Sequence, residues 1–211
     1  MGGPPRVGSG GVIWHSGSWW DGKKVRISAG EHRGRRLSSV KGTKIRPTSD
    51  LLRQALFNTL GVRIHGARVL DLFAGTGAVG LDALSRGAAR ATFVELDRKA
   101  LASLRANLAA LNLLPQARVL AGDVLPALTR LHAAGETFDC IFVDPPYTGD
   151  LAGRCIEILA DGALLSDNGA LVVQGFHKTA LPERIGVLGR TWGRRYGESR
   201  LTLYRKETAC R

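Results

Sequence analysis

Between residues 68 and 174 the chain repeats one unit: a short apolar run, a turn, then a stretch with helical spacing. The runs are Arg68-Val69-Leu70-Asp71-Leu72-Phe73, then Ala91 to Val94 ending at Glu95, then Arg118 to Leu120, Phe138 to Val143 and 170–174. Segments 79–85, 98–111, 124–133 and 150–161 between or after them have helical character. Runs without polar alternation suit strands buried on both faces, and helical crossovers make successive strands parallel. The pattern predicts an α/β fold with helices on both faces of the sheet. A last strand at 201–205 is expected to form an edge pair with 170–174, with the basic segment 190–200 between them.

The start of the chain reads differently. Residues 1–21 are Gly-rich without periodicity and read as a mostly disordered tail, although Trp14, Trp19 and Trp20 are costly to leave in water. In Lys23-Lys24-Val25-Arg26-Ile27-Ser28-Ala29-Gly30 the apolar side chains fall on every second position, which is strand periodicity with the basic residues opposite. Residues 22–46 are therefore expected to form a basic β element and 47–211 the main domain. Pro47 before Thr48-Ser49-Asp50 supplies a helix start, and Leu52, Leu56 and Leu60 one face of the helix that follows.

The net charge of +12 is unevenly divided. Residues 22–46 carry nine Lys or Arg against Glu31, and 184–211 carry eight against Glu198 and Glu207, whereas 54–183 carry eleven against thirteen acids. A near-neutral body with two basic ends suits a polyanion, because each Lys or Arg near a phosphate releases condensed counterions. No run approaches the roughly eighteen apolar residues of a membrane span. No basic stretch followed by an apolar run opens the chain, so a secretory signal is not expected. Cys140, Cys155 and Cys210 lack metal-ligand spacing and fit a reducing cytoplasm. His15, His32, His65, His132 and His177 likewise show no metal spacing, and no metal is expected.

Asp71-x-x-x-Gly75-x-Gly77 directly follows the first core run. Glycines permit a tight turn and close approach of backbone to a ligand, and the next helix start presents unpaired N–H groups. Glu95 falls twenty residues after Gly75, where its carboxylate can accept both ribose hydroxyls of an adenosine cofactor. The pair admits NAD, FAD or S-adenosylmethionine. Asp71 favours the last, since an acid suits an ammonium and sulfonium better than a pyrophosphate, and the third dinucleotide glycine is not at its usual spacing. Asp123 can accept the adenine amino group, with Asp97 a neighbour.

Asp144-Pro145-Pro146-Tyr147 follows the fourth run. Paired prolines hold the chain extended and remove two donors, which leaves the Asp144 carboxylate and the Pro145 carbonyl as fixed acceptors. An exocyclic amino group on a nucleobase meets that need. Its lone pair is delocalised into the ring, and two acceptors holding its hydrogens turn the lone pair outward. Asp144 offsets the positive charge that develops on nitrogen, and Tyr147 can stack on the base.

These residues resemble those of the class I S-adenosylmethionine-dependent amino-methyltransferases. More narrowly, Arg46-Pro47-Thr48-Ser49-Asp50, Arg53-Gln54-Ala55-Leu56-Phe57-Asn58 and Gly80-Leu81-Asp82-Ala83-Leu84-Ser85-Arg86-Gly87-Ala88 are similar to the bacterial RsmD family, over about residues 23–206. The resemblance implies a Rossmann-like methyltransferase with a seven-stranded, mostly parallel sheet and a small N-terminal β-hairpin that helps hold RNA. It also implies methylation of the exocyclic N2 of a guanine in 16S ribosomal RNA, guanine 966 in the usual RNA numbering, within the small subunit or an assembly intermediate. The protein is expected to be a monomer. The resemblance gives Asp71, Phe73, Ala74, Gly75, Gly77, Glu95, Asp97 and Asp123 to the cofactor and Asp144, Pro145, Pro146 and Tyr147 to catalysis. Arg46, Arg53 and Asn58 would position the base or its loop. Lys23, Lys24, Arg26, Arg33, Arg35, Arg36 and Lys44, with Arg194 and Arg195 in the 190–200 segment, would grip phosphates on either side of the pocket. Gln54 and Asp82 stand where the family pattern has Glu, and Gln174 ends a run where an acid is common.

Other classes fit the residues less well. The same loop accommodates adenine N6 or cytosine N4 in DNA or another RNA, although a DNA enzyme would need a target-recognition domain for which the chain has little room. A non-catalytic RNA-binding protein would have a vestigial pocket, whereas Asp71, Glu95 and Asp144 are all present. A dehydrogenase has no evident use for the proline-rich acceptor loop. Methylation through a cysteine adduct needs an activated thiol in that loop, and Cys140 and Cys155 read as core residues.

Overall fold

A computed structural model of the chain describes residues 25–39, 50–145, 151–179 and 181–207. Five helices lie among them: α1 Asp50–Leu60, α2 Ala78–Ser85, α3 Arg98–Ala110, α4 Val124–Ala133 and α5 Leu151–Leu159. The strands are β1 Arg68–Leu72, β2 Arg90–Glu95, β3 Ala117–Ala121, β4 Phe138–Val143, β5 Leu165–Phe176, β6 Arg184–Ile185, β7 Leu188–Tyr196 and β8 Ser199–Lys206. They form one sheet in the order β3-β2-β1-β4-β5-β8-β7-β6. The first five strands are parallel to their neighbours; β8, β7 and β6 join antiparallel.

Alternation within each apolar run splits the core in two. Val69, Phe93, Cys140, Phe142 and Val172 face α1, α2 and α3, whereas Leu70, Leu72, Ile141, Val143 and Val173 face α4 and α5. Because helices cover both faces, neither set can be polar. That is why the runs show no hydrophilic alternation. Burial also raises the Cys140 and Cys155 thiols to about 12, which leaves both unreactive as core side chains.

Two expectations need correction. Among the described residues the sheet has eight strands rather than seven, because Arg184–Ile185 adds a two-residue edge paired with the start of β7. The 190–200 segment is itself mostly strand: β7 turns at Gly197 and returns as β8, so β8 lies between β5 and β7 rather than at the edge. The signal was hidden because β7 beyond Gly189 is largely solvated and therefore carries Gly and Arg instead of an apolar run.

Residues 25–39 make a short antiparallel ladder. Arg26 bridges Arg36, the Ile27 N–H donates to the Arg35 carbonyl, and the Leu37 N–H donates to the Val25 carbonyl. Val25, Ile27 and Leu37 pack into the α1–α3 side of the core while Arg26 and Arg36 face out, as the period of two predicts. The turn needs glycine at position 30. Its φ is +82°, and a Cβ there would lie 1.8 Å from the Ser85 carbonyl oxygen.

A buried ion pair fastens this ladder to the body. Arg53 and Asp82 are both fully buried; Nε donates to Oδ2 at 2.7 Å, and the other Asp82 oxygen accepts the Ser28 N–H at 2.6 Å. Arg53 also donates to the Arg26 carbonyl and to Asp50. The shorter acid at position 82 thus still reaches both partners. Removing one member of such a pair strands a charge in the core, which costs about 3–5 kcal/mol, whereas replacing both with apolar side chains is far milder. Asp82→Ala should therefore lower the urea unfolding free energy by about 3–5 kcal/mol. The double variant Arg53→Met/Asp82→Leu should recover a good part of that loss.

Candidate active site

The strand order reverses between β1 and β4, and the crevice beyond their C-terminal ends is where an open α/β sheet binds ligands. Asp71 on β1, Glu95 at the end of β2, Asp123 after β3 and Asp144 after β4 all reach this edge. The loop Phe73–Gly77 turns back there through three left-handed residues: Phe73 at φ +63°, Gly75 at +56° and Gly77 at +86°. A Cβ on Gly75 would meet no atom within 4 Å, so glycine serves the turn there. At Gly77 and Gly80 a Cβ would lie 2.3 Å from Leu104 and 2.2 Å from Phe93, so those two also permit close packing.

Carboxylates hold this loop by its backbone. Asp71 accepts the Gly80 N–H at 2.9 Å and so anchors the first turn of α2. Glu95 accepts the Gly75 N–H at 2.6 Å with one oxygen and the Leu96 and Asp97 N–H groups, at 2.8 and 2.7 Å, with the other. A carboxylate has about four acceptor sites, so Glu95 is already aimed and retains capacity for a ribose hydroxyl. Ala74 donates its N–H to the Val94 carbonyl and is 8% exposed; Phe73 is half-buried against the α4–α5 side of the core. Asp97 and Asp123 cap α3 and α4, accepting the Ala100 and Leu125 N–H groups. Their capping was legible as an Asp before a helix, but the sequence reading assigned them to the cofactor alone.

Asp71 is 4% exposed, and its carboxyl is raised to about 7. Burial is the main cause; the Gly80 N–H opposes it, and the charges of Asp144 and Glu95 add to it. The three acids thus repel one another across the crevice. A cationic ligand would relieve that repulsion. Asp144 itself is half-buried, and Pro145 behind it is buried.

Several expected site residues are not brought to this crevice. Arg53, expected to position a base, is fully buried in its pair with Asp82 and cannot meet RNA; its helical neighbours gave no sign of that pairing across 29 residues. Asn58 sits about 12 Å along α1 from Asp50, eight residues at 1.5 Å each. It lines a groove with Gly30, Val62, His65 and Arg86 at the opposite, N-terminal edge of β1. Arg33 and Arg35 are exposed, but the turn holding Arg33 is bonded to Ser85 at the end of α2, and Arg35 donates to the Ala110 carbonyl at the end of α3. These two arginines therefore do not border the crevice. Arg194 and Arg195 are exposed near the β7–β8 turn, on the crevice side because Arg195 lies opposite Arg200 and Gly175. Gln54 is exposed, while Gln174 is buried opposite Leu201. Lys23, Lys24, Lys44, Arg46, Pro146, Tyr147 and the Trp-bearing tail lie outside the described residues.

Asn107 is the residue that sequence reading missed. It is 3% exposed on α3, donates to the Ser38 and Thr76 carbonyls at 3.1 and 3.0 Å, and accepts the Ser38 N–H. One amide thereby couples the basic ladder to the glycine loop. The available signal was a lone Asn on the buried face that Leu101, Leu104 and Leu108 mark out. Among the described residues, no group of His, Cys, Asp and Glu is arranged to hold a metal, and no helix is long and apolar enough to cross a membrane.

The family model described as conserved hypothetical protein 95 matches residues 25–205. Ribosomal RNA small subunit methyltransferase D of Escherichia coli K12 is 40% identical over 168 residues, covering 80% of this chain and 81% of that protein. The Haemophilus influenzae protein of the same name is 38% identical, covering 72% and 78%. Among solved structures, the Escherichia coli protein yhhF superposes with a TM-score of 0.78 at 36% identity, over 88% of this chain and 99% of that one. A hypothetical protein of Thermus thermophilus superposes at 0.72 and 38%, over 85% and 98%.

The raised Asp71 carboxyl has a measurable consequence. Above pH 7 the group is ionised and attracts a cation; below pH 7 it is neutral and does not. Affinity for S-adenosylmethionine should therefore fall as pH is lowered, by about tenfold per unit well below 7, and level off above it. Titration calorimetry from pH 5 to 8.5 checks this, and Asp71→Asn should flatten the profile.

Proposed function

This chain belongs to the family of ribosomal RNA small subunit methyltransferase D, and we propose that it methylates the exocyclic N2 of a guanine in 16S ribosomal RNA using S-adenosylmethionine. The finer reading is guanine 966 of the small subunit or of an assembly intermediate, with the protein acting as a monomer. The observation that carries the reading is the convergence of Asp71, Glu95 and Asp144 on one crevice, with the first carboxyl raised by burial and then by the other two acids.

The residues present fit the cofactor. Gly75 leaves open space, Glu95 is oriented for a ribose, and Asp71 and its acidic neighbours suit a ligand with an ammonium and a sulfonium. Asp123 is available for the adenine amino group, with Asp97 beside the same edge. When bound, S-adenosylmethionine would supply an electrophilic methyl group: as the N–CH3 bond forms its S–CH3 bond breaks, leaving S-adenosylhomocysteine, and the amino nitrogen releases one proton to water. The chain's own contribution is orientation and charge. Asp144 and the Pro145 carbonyl hold the two hydrogens of the guanine amino group, which directs the nitrogen lone pair toward the cofactor side of the crevice. Asp144 also offsets positive charge as it builds on that nitrogen. Tyr147, given to catalysis with Pro146, is the proposed stacking partner of the base. Arg194 and Arg195 near the β7–β8 turn take backbone phosphates on the crevice side.

Labelled methyl transfer to small ribosomal subunits lacking the modification, followed by nucleoside analysis and mapping, tests this reading. N2-methylguanosine at position 966 is expected. Methylated adenine or cytosine in its place would keep amino methylation and discard the guanine assignment. Asp144→Ala should lower the transfer rate by about 10²-fold or more, as loss of an electrostatic contact to the reacting group does. Its cofactor affinity, read by calorimetry, should stay within about twofold of wild type, since orienting the amino group is separate from binding the cofactor. Parallel loss of both in folded protein would refute that division of roles.

A further inference from the structure

The N-terminal edge of the parallel strands, at the end of the sheet opposite the crevice, is also basic. Arg68 opens β1 and Arg90 opens β2, and the two are register partners on adjacent strands; the Arg68 guanidinium donates to the Thr137 hydroxyl and lies over the Phe138 ring. Arg63 lies in the 3-10 turn Gly61–Ile64 that leads into β1, and Arg63, Arg68 and Arg90 are all exposed. Backbone bonds tie these segments together: Gly66 donates to the Gly87 carbonyl, and Ala89 and Arg90 both donate to Ala67. Arg86 follows α2 with its guanidinium 4.5 Å from the Phe57 ring. None of these four arginines forms an ion pair among the described residues, whereas Arg118 and Arg184 pair with Glu136 and Glu207.

Acids also lie near this edge: Glu136, just before β4, is taken by Arg118. Asp139 accepts the Arg68 N–H and the Ser166 hydroxyl, so its carboxylate is occupied by neutral donors, and Glu31 is exposed on the ladder turn. Nearby Arg205 is held below its ordinary value, chiefly by burial and then by Arg63. An open groove lined by Gly30, Phe57, Asn58, Val62, His65 and Arg86 runs beside Arg63, on the α1–α2 face; Arg68 and Arg90 follow the alternation of β1 and β2 toward the α4–α5 face, across the strand ends from it. Val62 is 90% exposed on its wall.

We propose that this edge is a second RNA-binding surface, in which Arg63, Arg68 and Arg90 hold backbone phosphates and the adjoining groove receives an unpaired base. A phosphate strand would supply the anionic partners that these exposed arginines lack among the described residues. An apolar groove rimmed by cations is the combination that holds single-stranded RNA. The surface takes its partner from the substrate proposed above and so rests on that reading. It lies at the far end of the sheet from the reacting groups, so it contributes grip rather than chemistry. A large structured RNA can span both ends; a free nucleoside cannot.

The test compares Arg63→Gln/Arg90→Gln with a charge-matched control, Arg105→Gln/Arg184→Gln, whose arginines are exposed in the middle of α3 and on β6. Binding to a 16S RNA fragment is measured across a salt series by filter retention or anisotropy, with methyl transfer and S-adenosylmethionine calorimetry alongside. The edge variant should bind RNA roughly tenfold more weakly at moderate salt, with a salt slope shallower by about 1.5 to 2 and KM for RNA raised. The control should move RNA affinity by less than about twofold, and cofactor affinity should hold in both. Unchanged RNA affinity in the edge variant, an equal loss in the control, or a wild type that binds anionic vesicles but no RNA would each overturn the proposal. RNA binding that depends on the edge, without methylation of any base, would leave it standing and refute the proposed reaction instead.

Discussion

Everything at the crevice depends on how the loop after β1 is held. A chain leaving a buried strand has to satisfy its backbone donors and still leave room for a ligand. Here carboxylates satisfy the donors, with Asp71 taking the Gly80 N–H and Glu95 those of Gly75, Leu96 and Asp97. The same groups are candidates for binding the cofactor, so the scaffold and the site are one structure. Concentrating acids at one sheet edge adds to the burial that raises the Asp71 carboxyl to about 7, a cost that a cationic ligand would offset.

The ladder of residues 25–39 is bound into that arrangement rather than hung from it. Arg53 and Asp82 fix it to α1 and α2, Ser85 fixes its turn, and Asn107 joins its end to the Thr76 carbonyl of the glycine loop. Any shift of the ladder is felt at the loop through one buried amide. The ends of the sheet also differ in charge. Acids collect where the proposed cofactor and amino group meet, and arginines collect where β1 and β2 begin. On the proposed reading, the exposed arginines steer the RNA and the crevice acids serve the cofactor and amino group.

Much of this was legible beforehand because it depends on short-range pattern. The apolar runs located β1 to β5 within a few residues, except that β5 begins earlier, at Leu165, in polar residues that no run marks. The positions of Asp71, Gly75, Gly77, Glu95 and Asp144 followed from strand–turn–helix spacing alone. Strand β7 was hidden because one solvated face lets Arg and Gly replace the apolar run. Arg53 misled because a charged residue on a helix reads as surface, while its burial is decided by Asp82, 29 residues away. Arg33 and Arg35 misled because a count of charges carries no direction.

The sequence by itself therefore determined the parallel α/β sheet, the acids and glycines at its C-terminal edge, and the basic charge of its two ends. Each follows from periodicity, spacing or composition, which are properties of neighbouring residues. Tertiary structure alone decided which arginine is a buried fastener and which are free to bind, which end of the sheet each basic group occupies, and how strongly the acids perturb one another. Those depend on distances between segments far apart in the chain. Coulombic and desolvation energies follow such distances and the depth of burial, so they exist only once the chain has packed.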